Sequence, residues 1–535
     1  MSNSARQLGE NMKKSSGRLL AAALASFSTF ATTFAFAETL TIGSSVTPSA
    51  LDPQLSLLTS DVGYYRHIFD PLFKVDTQLQ LQPGLATEAK ALDDTTWEIK
   101  LRSGVKFHDG SEFDADDVVF SLKRLGTVPG NDGLAAQYVS PIKDISVIDA
   151  HTLRLTTDGP TPDIPKRLAQ ISILSAGIGD SVTSEDFNTG KAAVGTGPFK
   201  LVEWRRGDQL VLARNDAYWG EKSQFDRVVF KAMTNPATRV AALEAGDVDM
   251  IDNVPPIDAK RLMQRQDLNV AQAPSGRVVF LQFDSVSPQA PLTTSADGKP
   301  LEANPFADNR VRKALSLAVN RDLIIERVMD GLAVKANQGI PKGFEGYATE
   351  IEAPRYDAEA AKALLAEAGY PDGFATTLAC PNDRYVNDAA ICQAIGQMWT
   401  RIGLKVAVDT SPKAVYFNKV YAGTFGAHML AWGNTAGDSI SFLKSIVGSP
   451  DKAHGRGSQN QKYLNAKLDV QIDKAALTID DAQRAKLLQQ AMVDAIQDNA
   501  FLPLHATAVI AATRKGLTYT PQADETTMAT FLRKQ

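Results

Sequence analysis

Two neighbouring pairs have the composition of acid–base machinery. His108-Asp109 sets an imidazole beside a carboxylate that could orient it, and Asp116-Asp117 sets two carboxylates together. Their context argues otherwise. Adjacent residues in a turn rarely face each other, and Gly110 marks the first pair as turn chemistry. The second pair falls where a helix begins, and a helix dipole favours anions there. The six histidines, His67, His108, His151, His428, His454 and His505, are scattered, and no pair has metal-ligand spacing. Val194 to Phe199 carries two glycines one residue apart, Gly195 and Gly197. The third glycine and the helix of a nucleotide loop are missing, so a structural turn is predicted. There is no Gly-x-Ser-x-Gly elbow, no His-Glu-x-x-His and no Walker loop. No catalytic residue, metal or cofactor is therefore expected; an enzyme without a recognisable motif is the alternative from another class.

The elements that hold these residues are legible in the alternation of side chains. From Trp97, residues Trp97, Ile99 and Leu101 point one way and Glu98, Lys100 and Arg102 the other, which predicts a half-buried strand. Ser103-Gly104 and Asp109-Gly110 are turn pairs. Asp114 is placed to cap a helix that runs through Val118, Phe120 and Leu122 to Lys123 and Arg124. Strands are predicted at 39–43, at 144–156 around Asp149-Ala150, from Phe199 to Trp204 pairing back through 210–214, at 247–251 and at 278–283. Residues 285–304 read as a loop. Helices capped by Asp308 and Asp357 follow, the first interrupted at Asn320-Arg321-Asp322. A strand at 376–379, a helix from Asp388 to Ile402 and a strand at 404–409 make a βαβ unit. A helix from Asp481 to Asp498 and a strand at 501–504 close the series.

At 535 residues the chain is long enough for more than one domain. Its 44% hydrophobic and 22% charged residues are those of an ordinary globular protein. The formal charge of −5 and the lack of a basic run give no sign of nucleic-acid binding. Residues 1–37 have the layout of a secretory signal. Arg6, Lys13, Lys14 and Arg18 precede an apolar stretch from Leu19 to Phe36, and Ala35-Phe36-Ala37 fits the cleavage rule. Met12 is an alternative start. Losing those four cations and Glu10 moves the charge from −5 to about −8 in a mature chain beginning at Glu38. No cysteine lies near the cleavage site for a lipid. The two cysteines, Cys380 and Cys392, enter an oxidising compartment, where a pair is more often bridged than free.

The order of residues in the stretch from Leu101-Arg102 through Gly104-Val105-Lys106-Phe107-His108-Asp109-Gly110 to Ala115-Asp116-Asp117-Val118 resembles the signature of the peptide/nickel family of extracellular solute-binding proteins, receptors of ABC importers. Further blocks resemble the same family. They are Gly195-Thr196-Gly197-Pro198-Phe199 with Asn215-Asp216-Ala217-Tyr218-Trp219-Gly220, Asp308-Asn309-Arg310-Val311-Arg312-Lys313-Ala314-Leu315, and the run from Ala361 to Pro371. The resemblance implies an α/β, two-lobed periplasmic-binding-protein fold (type II, large form) with an extra α/β subdomain inserted in the first lobe. By analogy the first lobe is 38–280 with 505–535, including an inserted subdomain at about 81–194, and the second lobe is 281–504. Crossings near Phe280 and Leu504 would form a hinge. The implied partners are a small-molecule or short-peptide ligand and a transmembrane permease; a monomer is expected. A sensor or chaperone-like binder would share the fold.

The resemblance also implies a site. In dipeptide-binding members an Arg and a Tyr hold the ligand carboxylate, and Arg384 and Tyr385, in the strand-to-helix loop between the cysteines, are their counterparts, the Arg offset by about one position. Leu430 to Asp438 resembles the family's Gly-Trp loop. There an Asp three residues after the Trp pairs with the peptide ammonium; here that position is Thr435. Thr cannot neutralise a buried ammonium, so a carboxylated, opine-like or blocked solute is expected in place of an ordinary peptide. Trp432 and Gly433 would wall the site, with hydrogen bonds from Asn434, Thr435 and Thr47. The competing expectation is that Asp438 takes over the ammonium.

Overall fold

Alternating burial runs along Thr96–Leu101, where Trp97, Ile99 and Leu101 are buried between half-exposed neighbours. In this computed structural model, which describes residues 38–130, 136–460 and 462–535, that strand sits inside a four-stranded antiparallel sheet. The order is Ala86–Ala91, Thr96–Leu101, Thr152–Thr157, Ile142–Asp149. The helix Ala115–Leu125 packs on it. Asp114 caps that helix by accepting from the Asp116 N–H, while Asp117 accepts from the Asp114 N–H. The predicted signal at 1–37 lies outside the described residues.

The glycine turn is structural, as predicted. A Cβ on Gly195 would come 2.0 Å from the Ile68 carbonyl oxygen, and one on Gly197 2.6 Å from the Ile68 carbonyl carbon. Only glycine lets this turn lie on the end of the helix Thr59–Ile68. His108 belongs to the same joint. Its Nδ1 accepts from the Gly195 N–H (3.3 Å) and its Nε2 donates to the Gly197 carbonyl (3.1 Å), while Asp109 folds back on Ser111.

A twelve-stranded sheet carries the rest of the chain. At its centre Leu268–Phe283 and Leu502–Arg514 run antiparallel. Parallel pairing of Thr39–Ser44 with Arg227–Ala232 extends one side; Ala427–Gly433, Phe374–Pro381 and Lys405–Ser411 extend the other. The two central strands are longer than the apolar runs at 278–283 and 501–504 predict. Leu268–Ser275 alternates weakly and carries Pro274, so its strand character comes from pairing across the sheet. The register breaks between Pro274 and Val278. There Gly276 leaves its partner strand, donating to the Ala523 carbonyl and accepting from the Asn434 N–H. The residues 285–304, read as loop, include a short strand, Thr293–Ser295, on Phe374–Pro381. The architecture is the expected mixed α/β fold in two lobes.

The βαβ unit forms as expected, from Phe374–Pro381, the helix Asp388–Arg401 and the parallel strand Lys405–Ser411. Cys380 and Cys392 are bridged, with Cα atoms 6.5 Å apart, and both are fully buried. The bridge closes the loop that holds Arg384 and Tyr385. Closing so short a loop stabilises by about 3 kcal/mol. Reduction, or Cys380→Ala with Cys392→Ala, is expected to lower the urea unfolding free energy by about that amount. An unchanged midpoint after full reduction would show that the bridge is energetically idle.

Candidate functional site

Phe374–Pro381 and Ala427–Gly433 are parallel neighbours, so the loops that follow them open on the same edge of the sheet. The first loop is shaped by Asp388, a buried carboxylate that accepts from the backbone N–H groups of Arg384 and Tyr385 (3.0 Å each). It thereby sends Tyr385 toward the second strand, where the phenol oxygen accepts from the Ala431 N–H at 3.1 Å. Burial raises the Tyr385 pKa, against the pull of nearby Arg384. Arg384 itself is exposed; its guanidinium carbon lies 5.3 Å from the Tyr385 ring centre, and it forms no side-chain hydrogen bond or ion pair among the described residues. Tyr385, Arg384, Trp432 and Gly433 are thus placed at one edge.

A residue that local pattern did not flag joins them. Arg277, at the register break of the central strand, is paired across from Gly433. A Cβ on Gly433 would come 2.8 Å from a guanidinium nitrogen of Arg277, so the glycine lets the guanidinium lie flat on the strand. Arg277 grips Glu525 through two parallel bonds, Nε and Nη2 to the two carboxylate oxygens at 2.9 Å each. Burial is the largest single influence and lowers the Arg277 pKa, but the charge and hydrogen bonding of Glu525, with Tyr385, together outweigh it and raise the value. Trp432 is half-buried, and its indole Nε1 is buried with no hydrogen-bond partner among the described residues.

Beyond Trp432 the loop turns on itself. Asn434 is buried; its Oδ1 accepts from the N–H groups of Ala436 and Gly437 (3.0 Å each), and its Nδ2 donates to the Asp438 carbonyl. The turn thus engages the Asn434 carbonyl oxygen twice and its Nδ2 group once. Thr435 is half-buried, with its hydroxyl unbonded among the described residues. Thr47 is placed elsewhere. It lines a small crevice with Tyr64, Trp204 and Phe230.

Asp438 is buried and already paired. Lys166, on the short helix Ile164–Leu168, puts its ammonium 2.8 Å from Asp438 Oδ2 and 2.6 Å from Glu345 Oε2. Arg484 binds the other oxygen of Glu345 at 3.0 Å. Burial raises the Asp438 pKa against the pull of Lys166. For Glu345, Lys166 and Arg484 outweigh burial and hold the carboxyl below its ordinary range. Neither Lys166 nor Glu345 lies in a motif; only the fold brings 166, 345, 438 and 484 together. Among the described residues, no group of three or more His, Cys, Asp or Glu side chains could hold a metal ion. No described helix is long and apolar enough to cross a membrane.

Known proteins share this architecture. Residues 80–454 match the family described as bacterial extracellular solute-binding proteins, family 5 Middle. The dipeptide-binding protein of Escherichia coli (strain K12) is 29% identical over 490 residues, covering 85% of this chain and 87% of that protein. HbpA2 from Haemophilus parasuis superposes with a TM-score of 0.80 at 23% identity, covering 93% of this chain and 100% of that one. The PBP AgaA in complex with agropinic acid, from A. tumefacien R10, superposes with a TM-score of 0.68 at 26% identity, covering 93% of this chain and 99% of that one.

Proposed function

The chain belongs to family 5 of the bacterial extracellular solute-binding proteins, and from that premise we propose that it captures a small carboxylated solute between its two lobes and delivers it to an ABC import permease. One observation carries the ligand class. The acidic side chains described around the Trp432 loop are paired with the chain's own cations, Asp438 and Glu345 with Lys166, Glu345 also with Arg484, and Glu525 with Arg277. Among the described residues these carboxylates already have cationic partners, whereas the exposed guanidinium of Arg384 stands beside Tyr385. Such a site favours an anion without a cation next to it. The likeness to AgaA, described with agropinic acid, supports the same reading.

We assign the lobes to 38–280 with 505–535 and to 281–504, with a subdomain at about 81–194; the four-stranded sheet falls within that span. The register break from Pro274 to Val278, facing Ala508 and Ala506, is the hinge we assign, a few residues from Phe280 and Leu504. Solute binding biases the lobes toward closure, and the closed form is what the permease engages. Export to the periplasm with cleavage near Ala37, and a monomer with no nucleic-acid partner, complete the proposal.

Calorimetric titration with di- and tripeptides, unmodified and N-acetylated, tests the ligand class. Acetylated or otherwise ammonium-free acids are expected to bind at least as tightly as their unmodified forms. Tight binding of unmodified peptides that acetylation abolishes would overturn it. Arg384→Ala is expected to weaken binding of a carboxylated solute about ten- to a hundredfold, the loss of one charged hydrogen bond. The melting temperature of the empty protein should barely move, since Arg384 is exposed and makes no side-chain bond; unchanged affinity removes Arg384 from the site. The second reading, a conventional di- or oligopeptide receptor, is favoured by one atom: Asp438 Oδ1 is buried without a hydrogen-bond partner.

A further inference from the structure

The Arg277–Glu525 pair has three features that a structural ion pair does not need. First, Glu525 takes a left-handed backbone conformation, φ 67°, which is unfavourable for a residue with a side chain. The surrounding turn imposes it: the Glu525 N–H donates to the Gln522 carbonyl, Asp524 is clamped by Arg66 at 2.6 Å, and Thr526 bonds back to Asp524. The tail thereby presents one carboxylate, half-exposed, to a guanidinium more than two hundred residues away in sequence. Second, the fork of Arg277 lies on Gly433, next to Trp432 and within electrostatic reach of Tyr385. These are the residues to which the solute site was assigned on other grounds. Third, the indole Nε1 of Trp432 is buried and unbonded among the described residues, a donor left over at the same edge.

We propose that Arg277 is a carboxylate-binding position of the solute site and that Glu525 is an internal carboxylate which a solute carboxylate displaces. This deepens the reading above and rests on it. Exchange of one carboxylate for another keeps the buried charge of the pair constant, so the guanidinium is never left bare. A neutral or cationic group cannot make the exchange, because it would strand Arg277 without a counter-charge. Glu525 therefore sets a threshold that an anion passes and an uncharged analogue does not. Displacement also frees Glu525 from the contact that holds its side chain in place. Together with Arg384, whose guanidinium carbon is 5.3 Å from the Tyr385 ring centre, the site offers two guanidinium groups near Tyr385, which suits a solute carrying two carboxylates.

The test uses succinate as the probe, with succinamide as its uncharged counterpart and sulfate at matched ionic strength as the control for any anion. Binding is followed by calorimetry and by tryptophan fluorescence on the mature chain. Glu525→Ala removes the competitor and is expected to bind succinate at least tenfold more tightly than the native protein, with no gain for succinamide or sulfate. Arg277→Ala added to Glu525→Ala is expected to abolish the gain. Glu525→Gln, which keeps the shape and loses the charge, is expected to show the gain in the same direction and covers the case in which Glu525→Ala does not fold. No gain in either Glu525 variant, or a gain that survives Arg277→Ala, overturns the proposal. That outcome leaves the receptor reading standing on Arg384 and Tyr385. A failure of the peptide titration with the succinate gain intact would fault the ligand class and leave the Arg277 exchange in place.

Discussion

Lys166→Met is expected to lower the unfolding free energy by about 3–5 kcal/mol, the cost of leaving a buried carboxylate without its counter-charge. The Lys166 side chain is 18% exposed and the Asp438 side chain 4%, so solvent screens the pair little. Glu345 retains Arg484 at 3.0 Å after the substitution, but among the described residues no other cation pairs with Asp438. The loss should therefore concentrate on Asp438. Lys166→Met combined with Asp438→Asn removes both charges and is expected to recover most of it, as replacing both members of a buried pair usually does. Urea titration of the single and double variants checks both statements. A single variant within about 1 kcal/mol of the native protein would place the pair among weak surface contacts. Because Lys166 falls in the proposed first lobe and Asp438 and Glu345 in the second, the single variant should also shift the lobes toward the open form.

The second large effect is acid destabilisation from three buried imidazoles. Burial lowers the pKa values of His67, His428 and His505 to about 4, from an ordinary value of 6.5. In the folded protein the rings stay neutral while the unfolded chain takes up protons below pH 6.5. Their contribution is thus fully present above that pH and is lost progressively as pH falls toward 4. His67 shows why the ring resists a proton. Its Nδ1 donates to the Gly63 carbonyl at 2.7 Å and its Nε2 accepts from the Ala529 N–H at 3.0 Å, so a second proton would point at a donor. His428 and His505 have neither ring nitrogen bonded among the described residues. Each ring is expected to remove about 2 kcal/mol between pH 7 and pH 5, or about 6 kcal/mol for the three. Urea midpoints measured at half-unit steps give the slope directly. A flat profile between pH 7 and 5 contradicts the assignment of three neutral buried rings.

What the sequence made legible was local. Trp97, Ile99 and Leu101 alternate within six residues, and Asp114 caps a helix with groups three residues apart, so both follow from short-range pattern. The bridge between Cys380 and Cys392 closes a 12-residue separation. The site was legible only in part. Tyr385 occupies the loop after Phe374–Pro381 and Trp432 the end of its parallel neighbour Ala427–Gly433, and that relation could be read from the βαβ pattern and the family blocks. Arg277 could not be found this way. It precedes the apolar run Val278 to Phe283 in a strand whose first half gains its pairing from across the sheet, and its partner is 248 residues away. The turn that Asn434 closes is, by contrast, local. A polar residue after Trp432 reads as a ligand donor, and a short amide beside Ala436 and Gly437 also closes its own turn. Lys166 gave no signal because an isolated lysine on a short helix is ordinarily solvent-facing.

The measurement closest to the central claim is mass spectrometry of the small molecules released when the protein, purified from the periplasm of cells expressing it with its own signal segment, is denatured. The account predicts one predominant solute at one per chain, carrying at least one carboxylate and no free ammonium beside it, and absent from Arg384→Ala protein prepared in parallel. Recovery of unmodified peptides with free N-termini, in equal amounts from the native and Arg384→Ala proteins, would contradict it.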